Sequence, residues 1–345
     1  MAQVSHSPPA SHHLGTLAPV TDLAAPPLDP DLTPVQRRTL EALRRGEHPV
    51  VFDETFVSEL QADAATGLAE LAERLGSDER LYVSKHGVAS VLGCEAHHVA
   101  PDDFTWTPAR ARGQVAHRAI QLLLNWRGDP APADLVDEAL SRLADEDTGL
   151  GAFVAGLTPG DDADLRGMAT ERVTKFLECF PPLDRRSNPM TEASLRYPVN
   201  GPIQLAAKVD LVIGRPAGRE SRKVIVDLKS GRAALHHRED LRFYALVETL
   251  RTDVPPRQVA TFYLDAGRAE PEDVTPHVLR TALRRTLDAV ERMIELQVEG
   301  RPPRRSPNAS CRWCPVSADC EPGQAFLAGP GGDDRHAAGF DATNV

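Results

Sequence analysis

Residues 205–231 read LAAKVDLVIGRPAGRESRKVIVDLKSG, and this stretch decides the fold. Two runs rich in β-branched and aliphatic residues flank GRPAGRES, whose Gly and Pro residues mark a turn, so the runs read as an antiparallel hairpin. Side chains two apart on a strand share a face, so Asp227 and Lys229 point together while Leu228 faces the core. Asp210 lies on the partner strand, opposite or diagonal to Asp227. Close carboxylates inside apolar strands repel unless a cation lies between them. The pattern therefore predicts a hard divalent cation, Mg²⁺ or Mn²⁺, on Asp210 and Asp227, with the Leu228 backbone carbonyl as a further ligand. Lys229 beside it would orient or deprotonate a water, or neutralise charge on a phosphate, as in metal-assisted phosphodiester hydrolysis. Taken alone, Asp-x-Lys also fits a simple ion pair on an exposed hairpin.

Outward from the hairpin, ASLRYPVN and QVATFYLD read as further strands and REDLRFYALVETLRT as a helix between them. Upstream, helices are predicted after Thr33, over residues 57–75, 113–126, 132–146 and 161–179, with a short strand or turn leading into a helix that ends near Cys94. Downstream, a long helix is predicted over residues 274–299, then a loop holding three cysteines. The sequence thus predicts an α/β fold with a small mixed sheet flanked by helices. Its expected parts are a disordered tail at 1–32, a helical region at 33–112 that includes Cys94, a catalytic core at 113–300, a cysteine loop at 301–325 and a second tail at 329–345.

The chain has 345 residues, 41% hydrophobic, with a net charge of −11, enough for a buried core and incompatible with a uniformly basic coat. A local basic channel remains compatible with that balance. The opening MAQVSHSPPASHHLG lacks a basic start followed by an apolar stretch, and no apolar run is long enough to span a membrane. A cytoplasmic protein with no membrane partner is expected. Of the five cysteines, Cys311, Cys314 and Cys320 form C-x2-C-x5-C, which points to a metal or cluster site and not to disulfides. Cys179 reads as a buried core thiol.

VDLVIG, then VIVDLKSG, then a helix with a polar residue four before a tyrosine, resembles the core of the PD-(D/E)xK nucleases, specifically their RecB-like branch. GQVAH, Gly113 to His117, is similar to that branch's Gly-x-x-x-His helix. The resemblance implies a restriction-endonuclease-like core. It implies that His117 joins Asp210 and Asp227 as a metal ligand, that Lys229 is the catalytic lysine, and that Glu192 is a supporting acidic residue. Asp240 and Tyr244 match the branch's Gln-x-x-x-Tyr, with Asp in place of Gln. One cysteine ahead of the core and three after it is similar to the iron–sulfur nucleases of the AddB and CRISPR-adaptation types. That implies one [4Fe–4S] cluster on Cys94, Cys311, Cys314 and Cys320, with Zn²⁺ as the competing occupant.

Arg112, Arg118, Arg304 and Arg305 would line a nucleic-acid path, with Trp313 stacking on a base. The family implies DNA as substrate, single strands or duplex ends. No Walker A loop is present, so unwinding would need a helicase or another processing partner chain. The alternative reading is a catalytically inactive nucleic-acid-binding or assembly subunit that keeps the nuclease fold.

Overall fold

Caps set where the helices begin. Thr33 accepts a hydrogen bond from the Gln36 amide and the Gln36 side chain returns one, opening α1 (Pro34–Leu43). Asp53 caps α2 (Glu54–Ala72), which starts earlier than its apolar spacing predicts. Thr107 and Pro108 likewise open α5 (Pro108–Leu123) ahead of Gly113. The structure, a computed structural model, describes residues 31–101 and 104–329, so the two predicted tails lie outside it apart from their inner ends.

Between and after these helices come β1 (Leu81–Val83), α3 (Lys85–Gly93), α4 (Glu95–His98), α6 (Pro132–Ala144), α7 (Gly149–Ala155) and α8 (Pro159–Cys179). Then follow β2 (Met190–Tyr197), β3 (Ile203–Ile213), β4 (Val224–Lys229), α9 (Leu235–Thr252), β5 (Gln258–Tyr263), β6 (Arg268–Asp273), α10 (Pro276–Gln297) and α11 (Glu321–Ala328). Of these, α4, α7, β6 and α11 had not been expected. Residues 268–273, RAEPED, carry a proline and acids and lie on the exposed edge of the sheet, where such residues are tolerated.

The strands form one mixed sheet in the order β1-β3-β4-β5-β6, with β2 also paired to β3. The predicted hairpin is present, Leu211 facing Val226 and Ile213 facing Val224. From β4 the chain crosses through α9 to the parallel strand β5, with Lys229 beside Tyr263. β3 is long enough to take β2 along one edge and two strands along the other. On that second edge β1 pairs in parallel with residues 203–205 and β4 antiparallel with residues 211–213. The C-terminal ends of β1 and β4 therefore point at each other across the middle of β3, and β1, from the expected helical region, belongs to the sheet.

Helices cover both faces. Leu60, Ile225, Leu241, Val259 and Val290 belong to the core under α2, α3, α9 and α10. Val115, Leu135, Leu165, Val226, Leu228 and Phe262 belong to the core under α5, α6 and α8. Each such fully buried aliphatic side chain contributes roughly 1.5–3 kcal/mol relative to exposure. On the second face the rings of Phe176, Phe180 and Phe262 pack at 4.8–5.7 Å. Leu228 faces this layer, as the period-two pattern predicts. Among the described residues no helix is long and apolar enough to cross a membrane.

Candidate active site

The site lies where the β3–β4 ladder ends. One step beyond the last pair, Leu211 and Val226, Asp210 replaces the backbone as acceptor: its Oδ2 takes the Leu228 amide hydrogen at 2.7 Å. Its Oδ1 lies 3.4 Å from His117 Nδ1. Burial works against a charge on that imidazole, but the Asp210 carboxylate outweighs it and raises the His117 pKa. His117 reaches this point because α5 packs close: a Cβ on Gly113 would stand 3.2 Å from Ser230 Oγ in the turn after β4. The predicted Gly-x-x-x-His spacing thus has a steric reason, one turn separating the contact glycine from the imidazole.

Ligand atoms of His117, Glu192 and Asp210 all lie within 4.8 Å of one another. Glu192 stands on β2 with φ of 54°, a left-handed backbone that a glutamate adopts only under constraint. Lys208 also pairs with it. The sequence had given Glu192 only a supporting role; the fold brings it within 4.8 Å of both His117 and Asp210.

Asp227 and Lys229 share a face as predicted, and they are 0% and 1% exposed. Lys229 Nζ is 2.8 Å from Asp227 Oδ2 and 3.9 Å from Asp240 Oδ2. Lys85, which the sequence reading passed over, places its Nζ 3.0 Å from Asp227 Oδ1 and 4.9 Å from the centre of the Tyr244 ring. Burial penalises a charged Asp227, yet the two ammonium groups overcome it and hold its pKa well below the usual carboxylate range. Asp227 thus meets two lysines first, and the group that also contains His117 is Glu192 with Asp210.

Helix α9 closes this face. Burial raises the Asp240 pKa against the pull of Lys85 and Lys229. Asp240 lies beside Lys229, while Arg242 pairs elsewhere, with Glu239 and Glu272. Tyr244 donates its hydroxyl hydrogen to the Lys208 carbonyl at 2.9 Å, tying α9 to β3. His237 Nδ1 lies 3.1 Å from the Tyr263 hydroxyl, and burial, aided by Lys229, lowers the imidazole pKa to about 3.

A second cluster forms from the cysteines. Cys94, Cys311, Cys314 and Cys320 line one cavity together with His97, Arg305 and Gly323. The Ser306 and Asn308 amides donate to the sulfurs of Cys94 and Cys311, both at 3.4 Å. A Cβ on Gly323 would fall 3.2 Å from Cys320 Sγ and 3.5 Å from Cys311 Sγ, so only glycine leaves that wall open. The segment is bolted to the N-terminal side by Glu95, 2% exposed, which accepts two bonds from Arg301 at 2.9 Å and one from the Arg304 amide at 2.8 Å. Cys179 is elsewhere, buried under α8 as expected.

The arginines expected to contact nucleic acid divide between two places. Arg118 on α5 is paired with Glu146, and the Arg112 Nε is buried without a hydrogen bond. Exposed Arg304 and Arg305 and Trp313, 43% exposed, belong to the cysteine segment.

The profile of the PD-(D/E)XK nuclease superfamily matches residues 85–321. No curated protein sequence matches the chain. Among solved structures, SSO0001 is 13% identical, covering 78% of this chain and 95% of that one with a TM-score of 0.32. A candidate exonuclease from Eubacterium rectale is 15% identical, covering 71% of this chain and 87% of that one with a TM-score of 0.38. Rai1 of Scheffersomyces stipitis is 12% identical, covering 75% and 70%, with a TM-score of 0.23. At these TM-scores none of the three likenesses bears on the chemistry of the site.

Proposed function

Because the chain belongs to the PD-(D/E)XK nuclease superfamily, we propose that it is a Mg²⁺- or Mn²⁺-dependent deoxyribonuclease of the RecB-like branch. The observation that carries this is the convergence of His117, Glu192 and Asp210 within 4.8 Å, next to a buried Asp227–Lys229 pair. An imidazole and carboxylates at that spacing suit a divalent cation. His117, Asp210 and Asp227 would hold the ion, with Glu192 added to the predicted set and the Leu228 carbonyl retained. When bound, the cation supplies Lewis acidity toward a phosphate oxygen and a water of lowered pKa.

The chain's own groups do the rest. Lys229 is fixed between Asp227 and Asp240, so its ammonium meets the scissile phosphate already oriented and opposes the charge that builds there. Asp210 orients His117 and, through the Leu228 amide, keeps the open end of the hairpin in register. Burial of Asp227 and Lys229 lowers the local dielectric, which strengthens both effects.

The cysteine cavity is proposed to hold a structural [4Fe–4S] cluster on Cys94, Cys311, Cys314 and Cys320. Four thiols and backbone amides directed at two of the sulfurs suit it. The DNA substrate is proposed to be a single strand or a duplex end, with Arg304, Arg305 and Trp313 as contacts and a separate helicase as partner.

The test is incubation of the purified chain with end-labelled linear and closed circular DNA in Mg²⁺ or Mn²⁺. Cleavage of linear DNA by wild type and a loss of about 100-fold or more in Asp227→Ala are expected. Equal cleavage by the two proteins removes this mechanism, and binding without cleavage in every metal favours the inactive-subunit alternative.

A further inference from the structure

Lys85 is an anomaly for a surface lysine. Its side chain is 19% exposed, and its Nζ sits 3.0 Å from a carboxylate that Lys229 already neutralises from the other side. Two ammonium groups from different elements thus converge on one buried carboxylate, with Asp240 beside Lys229. The topology explains how Lys85 arrives there. β1 ends at Val83, beside Leu205 near the start of β3, and points at the end of β4 that carries Asp227. Ser84 then caps α3 by accepting from the Gly87 amide at 3.1 Å, so Lys85 opens the helix at the site.

The other end of α3 is anchored in the cysteine cavity. The helix is nine residues long and ends at Gly93, and the next residue is Cys94. At about 1.5 Å per residue the two ends stand roughly 13 Å apart. The Gly93 carbonyl accepts from the Asn308 side chain at 3.2 Å, and Cys94 Sγ accepts from the Ser306 amide at 3.4 Å. Ala96 N donates to the Arg304 carbonyl at 3.2 Å, and Glu95 grips Arg301. In its first turn, a Cβ on Gly87 would stand 3.0 Å from Met293 Cε, so α3 lies tight on α10. A short helix held this closely moves as one piece.

We propose that Lys85 is a positioning residue of the nuclease centre, and that helix α3, pinned at its far end by the cysteine segment, sets where its ammonium stands against Asp227. Through Asp227, Lys85 sets how strongly the centre takes a divalent cation: its charge competes for the carboxylate and prevents the ion from binding too tightly. The cysteine segment then governs the nuclease centre by geometry, without electron transfer. This rests on the metal-dependent nuclease reading.

The experiment is Mn²⁺ titration of the full chain followed by electron paramagnetic resonance, for wild type, Lys85→Met, Lys85→Arg, Cys94→Ser and the Lys85→Met/Cys94→Ser double variant. Lys85→Met is expected to bind Mn²⁺ about tenfold more tightly, because a neighbouring positive charge is gone. Lys85→Arg should return toward wild type. Cys94→Ser should shift in the same direction as Lys85→Met, and the double variant should shift no further than the larger single one. Circular dichroism checks that each variant is folded. If Cys94→Ser does not fold, Glu95→Gln, which weakens the Arg301 grip and keeps all four cysteines, makes the same comparison. Equal affinity in wild type and Lys85→Met overturns the positioning role and leaves the nuclease reading standing. A shift in Lys85→Met with none in Cys94→Ser or Glu95→Gln overturns the coupling. Absence of Mn²⁺ binding in wild type overturns the nuclease reading itself.

Discussion

A carboxylate as deeply buried as Asp227 persists only with its charge compensated, and this fold assigns it two lysines from different elements, one on β4 and one on α3. Titration at the same face yields a prediction on His237. Its pKa falls to about 3 from an ordinary value near 6.5, chiefly through burial. Between those values the unfolded chain binds a proton there and the folded chain does not, so stability is full above pH 6.5 and declines as pH falls toward 3. Urea unfolding at stepped pH should show that decline, and His237→Gln should flatten it. An unchanged slope in the variant would assign the acid sensitivity to other groups. Glu192 presents the complementary case. Its left-handed backbone marks a residue the surrounding structure constrains, and no local sequence feature announces it.

At the level of elements, the contact between α5 and the turn after β4 decides where His117 points. Gly113 permits it, and Gly231, with φ of 95°, lets the chain leave β4 at that angle. Gly113→Val should overpack this contact, costing about 1–3 kcal/mol in chemical denaturation. It should also weaken Mn²⁺ binding, since α5 must shift and carry His117 from Asp210. Loss of stability with unchanged Mn²⁺ affinity would mean that His117 does not depend on the packing of α5. Apart from the short α4, α7 and α11, the helices and the β3–β4 hairpin were legible because each has a local period. β6 was not, because an edge strand with one exposed side needs no apolar alternation. The parallel pairing of β1 with β3 was hidden for another reason: three residues carry too little pattern to name a partner more than a hundred positions away.

Across the whole molecule, the proposed cluster would join Cys94 to Cys311 over more than two hundred intervening residues. Closing so long a loop would stabilise by about 5 kcal/mol in the chain-entropy picture. The Glu95–Arg301 contact makes part of that closure without any metal. Cys311→Ser is therefore expected to lower the melting temperature by several degrees while leaving a folded chain, with scanning calorimetry as the check. A chain that unfolds entirely in this variant would show that the salt bridge contributes little to the closure. The sequence by itself determined the hairpin with Asp210, Asp227 and Lys229, the Gly113–His117 spacing and the Cys311, Cys314 and Cys320 run, because strand and helix periods and ligand spacing are local properties of the chain. Only the tertiary structure decided that Glu192 joins His117 and Asp210, and that Lys85 reaches Asp227 from α3. Those meetings depend on which strand lies beside β3, which is settled by burying apolar surface from distant segments together and leaves no mark on any single stretch of residues.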